Sequence, residues 1–219
     1  LLMIQGLLAL GLISLLSACS VQPKEPTFSA SGFITDGGVI RLWRLNDQDS
    51  KPQVIMSVYS PYQHKNTTVT FYEYRHGHLW QMRRSVLNDN PMEETLRLDK
   101  NDNVVFMQRQ FSGRREQLSN DDIINSLFDA SRIKETSDAL NAGQVKLRQG
   151  HWQNGEVTTC AGEKISIEFD PKAQTWLEER NKNSYGILTI AWLDSPEGTQ
   201  LLLVANDNFC LWEPTKDKL

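Results

Sequence analysis

The chain has 219 residues, a formal net charge of −4 and a charged share of 23%. The acidic balance argues against nucleic acid as its main partner. The length suffices for one large domain or two small ones, each with its own core.

The chain opens on an apolar run from Leu1 that closes in Leu16-Ser17-Ala18-Cys19. The run is short for a bilayer of about 30 Å, which asks for roughly 20 apolar residues. Gly6 and Gly11 also weaken it as a long helix. At Cys19 small residues meet the polar stretch Ser20-Val21-Gln22-Pro23-Lys24-Glu25-Pro26, which argues against a buried core helix. This arrangement resembles the signal peptide and lipobox of bacterial lipoproteins. The resemblance implies that residues 1–18 are removed and that Cys19 carries the lipid. Leu1 to Ala18 hold no charge, so the basic residues that open such a peptide are expected upstream of Leu1. Ser20, where sorting for inner-membrane retention uses Asp, implies an outer-membrane anchor facing the periplasm. Acyl chains hold firmly, at about 0.8 kcal/mol per buried CH₂. Residues 19–27, with Pro23 and Pro26, read as an extended tether.

From Phe33 the pattern is of short strands parted by turn residues. Val39–Leu45 follows the turn Asp36-Gly37-Gly38, and Val54–Tyr59 follows Pro52. Thr67–Arg75 alternates, with Val69, Phe71 and Glu73 on one side and Thr68, Thr70, Tyr72 and Tyr74 on the other. Leu79–Leu87 resumes after His76-Gly77, and Asp99–Asn103 separates Thr95–Leu98 from Val104–Phe111. The stretch 28–118 is thus expected to be an antiparallel meander. Ser31–Arg44 (Ser-Gly-Phe-Ile-Thr-Asp-Gly-Gly-Val-Ile-Arg-Leu-Trp-Arg) resembles the opening of the YjaH-like proteobacterial family. That family has no assigned activity or site to carry over.

Residues 119–219 change character. Ser119-Asn120-Asp121-Asp122 makes a helix N-cap with acids in the first turn, and Ile123, Ile124, Leu127 and Phe128 then form a stripe. The helix ends near Ser131 or runs on to Gly143. Gln144–Trp152 and Val157–Cys160 flank Asn154-Gly155, a strong hairpin signal. Ile165, Ile167 and Phe169 alternate as a half-buried strand. Asp170-Pro171 then caps a short helix with Ala173, Trp176, Leu177 and Arg180 on one face. Ile187–Leu193 and Leu201–Ala205 read as a central hairpin buried on both faces, and Phe209–Trp212 as a last strand. The expected class is a β-rich α+β chain: a meander, a helix, then a second antiparallel region with a short helix. It forms two lobes, 28–118 and 119–219, or one continuous domain.

With Cys19 acylated, Cys160 and Cys210 form an even pair in an oxidising compartment, and are expected to be a disulfide. The alternative is two buried free thiols. His76 and His78 are weak metal candidates: i and i+2 on a strand share a face, but Gly77 bends the chain, and only His64 and His151 remain as further histidines. No metal or other cofactor is expected. Gly37-Gly38 lacks a nucleotide-binding context, no G-x-S-x-G elbow exists, and the acidic pairs Glu93-Glu94, Asp121-Asp122 and Glu178-Glu179 diverge as sequence neighbours. The six tryptophans read chiefly as core packing, with a glycan or peptide groove as the alternative. The expected function is therefore a non-catalytic binding or accessory lipoprotein, with an envelope protein or the cell wall as partner. A periplasmic hydrolase and a small-ligand or metal carrier are the alternatives.

Overall fold

The computed structural model of the chain describes residues 24–63 and 66–219. Eight strands form the first sheet in simple chain order: β1 (Phe28–Ile34), β2 (Gly38–Asn46), β3 (Pro52–Pro61), β4 (Thr67–Arg75), β5 (His78–Leu87), β6 (Met92–Leu98), β7 (Val104–Phe111) and β8 (Arg114–Glu116). Every pair is antiparallel, as the expected meander requires. The turns carry the chemistry for it. His76 and Gly77 both have positive φ, 51° and 78°, which suits the two-residue turn between twisted strands. Asp99 accepts hydrogen bonds from the backbone N–H groups of Asn101 and Asn103, closing the β6–β7 loop.

Helix α1 (Asn120–Ala142) crosses one face of this sheet. Its start follows the expected cap: the Ser119 hydroxyl accepts from the Asp122 N–H, and the Asp122 carboxylate accepts from the Ser119 N–H. The buried face differs from the expected stripe. Ile123 and Leu127 pack on the core, but Ile124 and Phe128 are exposed. The helix buries Ser126, Ala130, Ile133 and Ser137 instead. Three of those four are small, so the helix lies close on the sheet without a strong apolar signal in its sequence. Beneath it lie Leu42, Ile55, Tyr72, Met82 and Leu96, one from each of β2 to β6.

The second sheet has the order β11-β10-β9-β12-β13. Its strands are β9 (Lys146–Gln153), β10 (Glu156–Thr159), β11 (Lys164–Ile165), β12 (Leu188–Ser195) and β13 (Gly198–Ala205). One face meets the meander: Leu147, Ala191, Leu193 and Leu202 pack on Val39, Trp43, Met56 and Val58. The other face packs Trp152, Leu188, Ile190 and Trp192 against Leu177 of α2 (Pro171–Lys182). The layers therefore run α1, meander, second sheet, α2. Fully burying a large apolar side chain contributes about 1.5–3 kcal/mol, so these three interfaces dominate stability. No helix among the described residues is long and apolar enough to cross a membrane.

Four local expectations are corrected. The strands begin at Phe28, not Phe33: Ser29, Ala30, Ser31 and Gly32 are weak strand formers, yet they pair with Arg44 to Arg41. At Gly32 a Cβ would sit 2.8 Å from the Ile40 carbonyl oxygen, so this close approach needs glycine. Ile165, Ile167 and Phe169 pack partly buried beside Trp152 and Leu177, but only Lys164–Ile165 pairs as strand. Of the expected central hairpin, β12 is central and β13 is a sheet edge. Phe209–Leu211 is a 3₁₀ turn rather than a strand, because the Asn208 side chain accepts from the Cys210 N–H and caps it.

Candidate functional site: a hydroxyl-lined groove

The strand register sets one row of side chains under α1: Leu42, Ser57, Thr70, Arg84, Glu94 and Arg109. The adjacent row reads Ile40, Tyr59, Thr68 and Val86. Core positions under a helix are ordinarily apolar, so hydroxyls at Ser57, Thr68 and Thr70 are unusual there. The chain opens a groove of about 910 Å³ over them. The α1 wall supplies Asp129, Arg132 and Thr136, the end of β1 supplies Phe33, and the β1–β2 turn supplies Thr35 and Asp36. Gly37 belongs to this wall: a Cβ there would lie 2.9 Å from the Tyr59 hydroxyl.

Arg84 and Arg109 anchor the floor. The Arg109 guanidinium bonds Glu94 at 2.7 Å and reaches Asp122 at 3.1 Å. Arg84 lies 3.5 Å from Glu94 and 3.7 Å from Asp129. Glu94 is buried, so two arginines around one carboxylate keep its charge compensated. The Glu94 bonds lift Arg109 above its ordinary value. Burial pushes the Tyr72 phenol up to about 12, so Tyr72 is a neutral hydroxyl at physiological pH. The groove thus presents hydroxyls that both donate and accept, beside charged pairs already neutralised.

A family model described as "Protein of unknown function (DUF1481)" matches residues 30–215, which span both sheets and both helices. The chain belongs to the DUF1481 family. It is 39% identical over 204 residues to the "Uncharacterized protein YjaH" of Escherichia coli (strain K12), covering 92% of this chain and 87% of that protein. The YjaH-like resemblance of residues 31–44 is borne out. No solved structure matches.

This DUF1481 chain also buries an arginine between its sheets. Arg41 is 1% exposed. Its Nη1 donates to Gln149 Oε1 at 2.7 Å and its Nη2 to Ser60 Oγ at 3.3 Å. Gln149 Nε2 in turn donates to the Glu213 carboxylate at 3.3 Å. The guanidinium stacks 4.4 Å from the Phe209 ring and 4.8 Å from Trp212. Burial lowers Arg41 to about 10, so it remains charged at neutral pH. On the opposite face of β2, Arg44 bonds Asn46, Ser137 and Asp138, tying the meander to α1. Glu25 lies 3.7 Å from Arg44, and Asn46 Nδ2 donates to the Pro26 carbonyl, so the end of the expected tether rests on β2.

The residues singled out from sequence fall as follows. Cys160 and Cys210 form a disulfide with Cα atoms 5.0 Å apart. His76 lies in the β4–β5 turn, and His78, exposed at the start of β5, faces Asp102 at 3.5 Å. His151 lies on β9 beside Thr189, 3.3 Å away. No metal-holding group of three or more His, Cys, Asp or Glu occurs among the described residues. Cys19 and His64 lie outside the described residues. Glu93 and Glu94 do diverge: Glu94 joins the floor network, and Glu93 is exposed. The tryptophans divide rather than all serving the core. Trp43, Trp152 and Trp192 are buried, Trp80 is half-buried under Arg75, and Trp176 and Trp212 are 46% and 40% exposed. Trp176 therefore does not share the buried face of Leu177. Sequence reading missed Arg41 and Arg84. The signal for both was an arginine whose same-face neighbours along the strand are apolar: Val39 and Trp43 for Arg41, Met82 and Val86 for Arg84.

Proposed function

We propose that this chain is a lipid-anchored envelope protein of the periplasmic side that acts by binding, without catalysis, through the groove under α1. The observation that carries the reading is the groove itself. Its floor is built on four adjacent strands, β2 to β5, and its hydroxyls sit on side chains that the sheet already fixes, as a binding site needs. The partner proposed is an envelope protein or the cell wall. The anchor rests on Leu16-Ser17-Ala18-Cys19, and the Cys160–Cys210 bridge suits an oxidising compartment.

The anchor is tested by Cys19→Ser in cells fed a labelled fatty acid. The expected result is an unprocessed chain without label, while the parent chain is labelled and sediments with the outer membrane. A Cys19→Ser chain that is still cleaved and labelled contradicts the anchor. Binding is tested by a photoreactive side chain at Thr136, on the groove wall.

A further inference from the structure

We infer that the groove is a carbohydrate site, shaped for a neutral oligosaccharide; this rests on the groove being the binding site. Charge balance is the first argument. Arg84 and Arg132 among the lining residues are matched by Asp36 and Asp129. An anionic ligand would lose its hydration without meeting a net positive field, whereas a neutral one meets both donors and acceptors without a charge to compensate.

The second argument is the kind of polar group. Ser57, Thr70 and Tyr72 are each less than a tenth exposed, yet all three are among the residues that line the groove. A hydroxyl donates one hydrogen and accepts at its lone pairs, which is also the repertoire of every sugar hydroxyl. Arg84 and Asp129, 3.7 Å apart, add a charged donor and a charged acceptor to the same lining.

The third is the remaining lining. Phe33, Ile34, Ile40, Val86 and Ile133 give apolar wall against which a pyranose ring lays its C–H face. The volume, about 910 Å³, stands at the upper end of the range for small-molecule sites, about 300–1,000 Å³. Ile34 and Arg132 are exposed at the rim, so a chain of several sugar units enters and leaves without a lid.

The test is a methyl NMR titration of the full chain, purified in detergent. The probes are chitotetraose, a β-1,4-linked N-acetylhexosamine chain, maltotetraose, an α-1,4-linked glucose chain, and sulfated maltotetraose as the anionic arm. At millimolar concentration one neutral tetrasaccharide shifts the Ile34, Ile40, Val86 and Ile133 methyl signals and leaves Val105 unmoved. Which of the two binds distinguishes a wall-type from a storage-type glycan. Thr70→Val, close to isosteric, weakens binding about tenfold. Arg132→Ala, at an exposed position that leaves the fold intact, weakens it severalfold. Preference for the sulfated probe, or no groove shift with either neutral probe, overturns the carbohydrate assignment. Crosslinking from Thr136 in cells alongside silent titrations would leave the groove as a binding site for another class of ligand.

Discussion

Replacing Cys160 and Cys210 together with serine lowers the melting temperature by roughly 8–16 °C. The two positions are 50 residues apart in sequence, and chain entropy assigns closure of such a loop about 4 kcal/mol. A domain of this size shifts by about 2–4 °C per kcal/mol. The bridge also has a local task. Cys160 follows β10, and Cys210 sits in the 3₁₀ turn that seats Phe209 and Trp212 over Arg41. Losing it frees that cover, so tryptophan emission from Trp43 and Trp212 moves to the red before the sheets melt. Differential scanning calorimetry with and without reductant checks the first part, and fluorescence the second. A fall under about 4 °C would show that the bridge hardly constrains the unfolded chain.

Arg41→Ala costs about 3–5 kcal/mol. The substitution strands Gln149 and Glu213 and empties the space between Phe209 and Trp212. The cation itself is not what stabilises the fold. Burial lowers Arg41 to about 10, which means that its charged form is less at ease here than in water. Glu213 is pushed up by burial, although Gln149 and Arg41 pull it back. Neutralising both while keeping the volume therefore restores most of the loss: Arg41→Met with Glu213→Gln unfolds within about 1 kcal/mol of the parent chain in urea. Equal destabilisation by Arg41→Ala and by that pair of changes would show that the charge, not the packing, holds the sheets together.

The meander was legible because its signals are local. Thr67–Arg75 alternates without a break, and Asn154-Gly155 and His76-Gly77 can each take the positive φ that a tight hairpin requires. The α1 cap was legible for the same reason, since Ser119 and Asp122 are three residues apart. What escaped depends on distant partners. Nothing local says that Ile187–Leu193 is central and Leu201–Ala205 an edge, because both are apolar runs and the difference lies in which strand β9 chooses. Phe209–Trp212 has strand composition, but one Asn208 side chain turns it. The hydroxyl side of β4, Thr68-Thr70-Tyr72-Tyr74, was visible as a face. Its role as a groove floor was not, since that depends on α1, whose groove residues Asp129 to Thr136 lie more than 50 residues away, standing as a wall beside Ser57 and Thr70.

Occupancy of the groove is the central claim, and in-cell photo-crosslinking reads it most directly. A photoreactive side chain replaces Thr136 on the α1 wall or, as a control, exposed Gln110 on the opposite face of the meander. If the groove is the binding site, irradiation of living cells gives a discrete adduct from Thr136 and none from Gln110. Thr68→Trp, which fills the floor at a half-buried position, suppresses that adduct while the chain stays folded and anchored. Adducts from Gln110 alone, or Thr136 adducts indifferent to Thr68→Trp, contradict it.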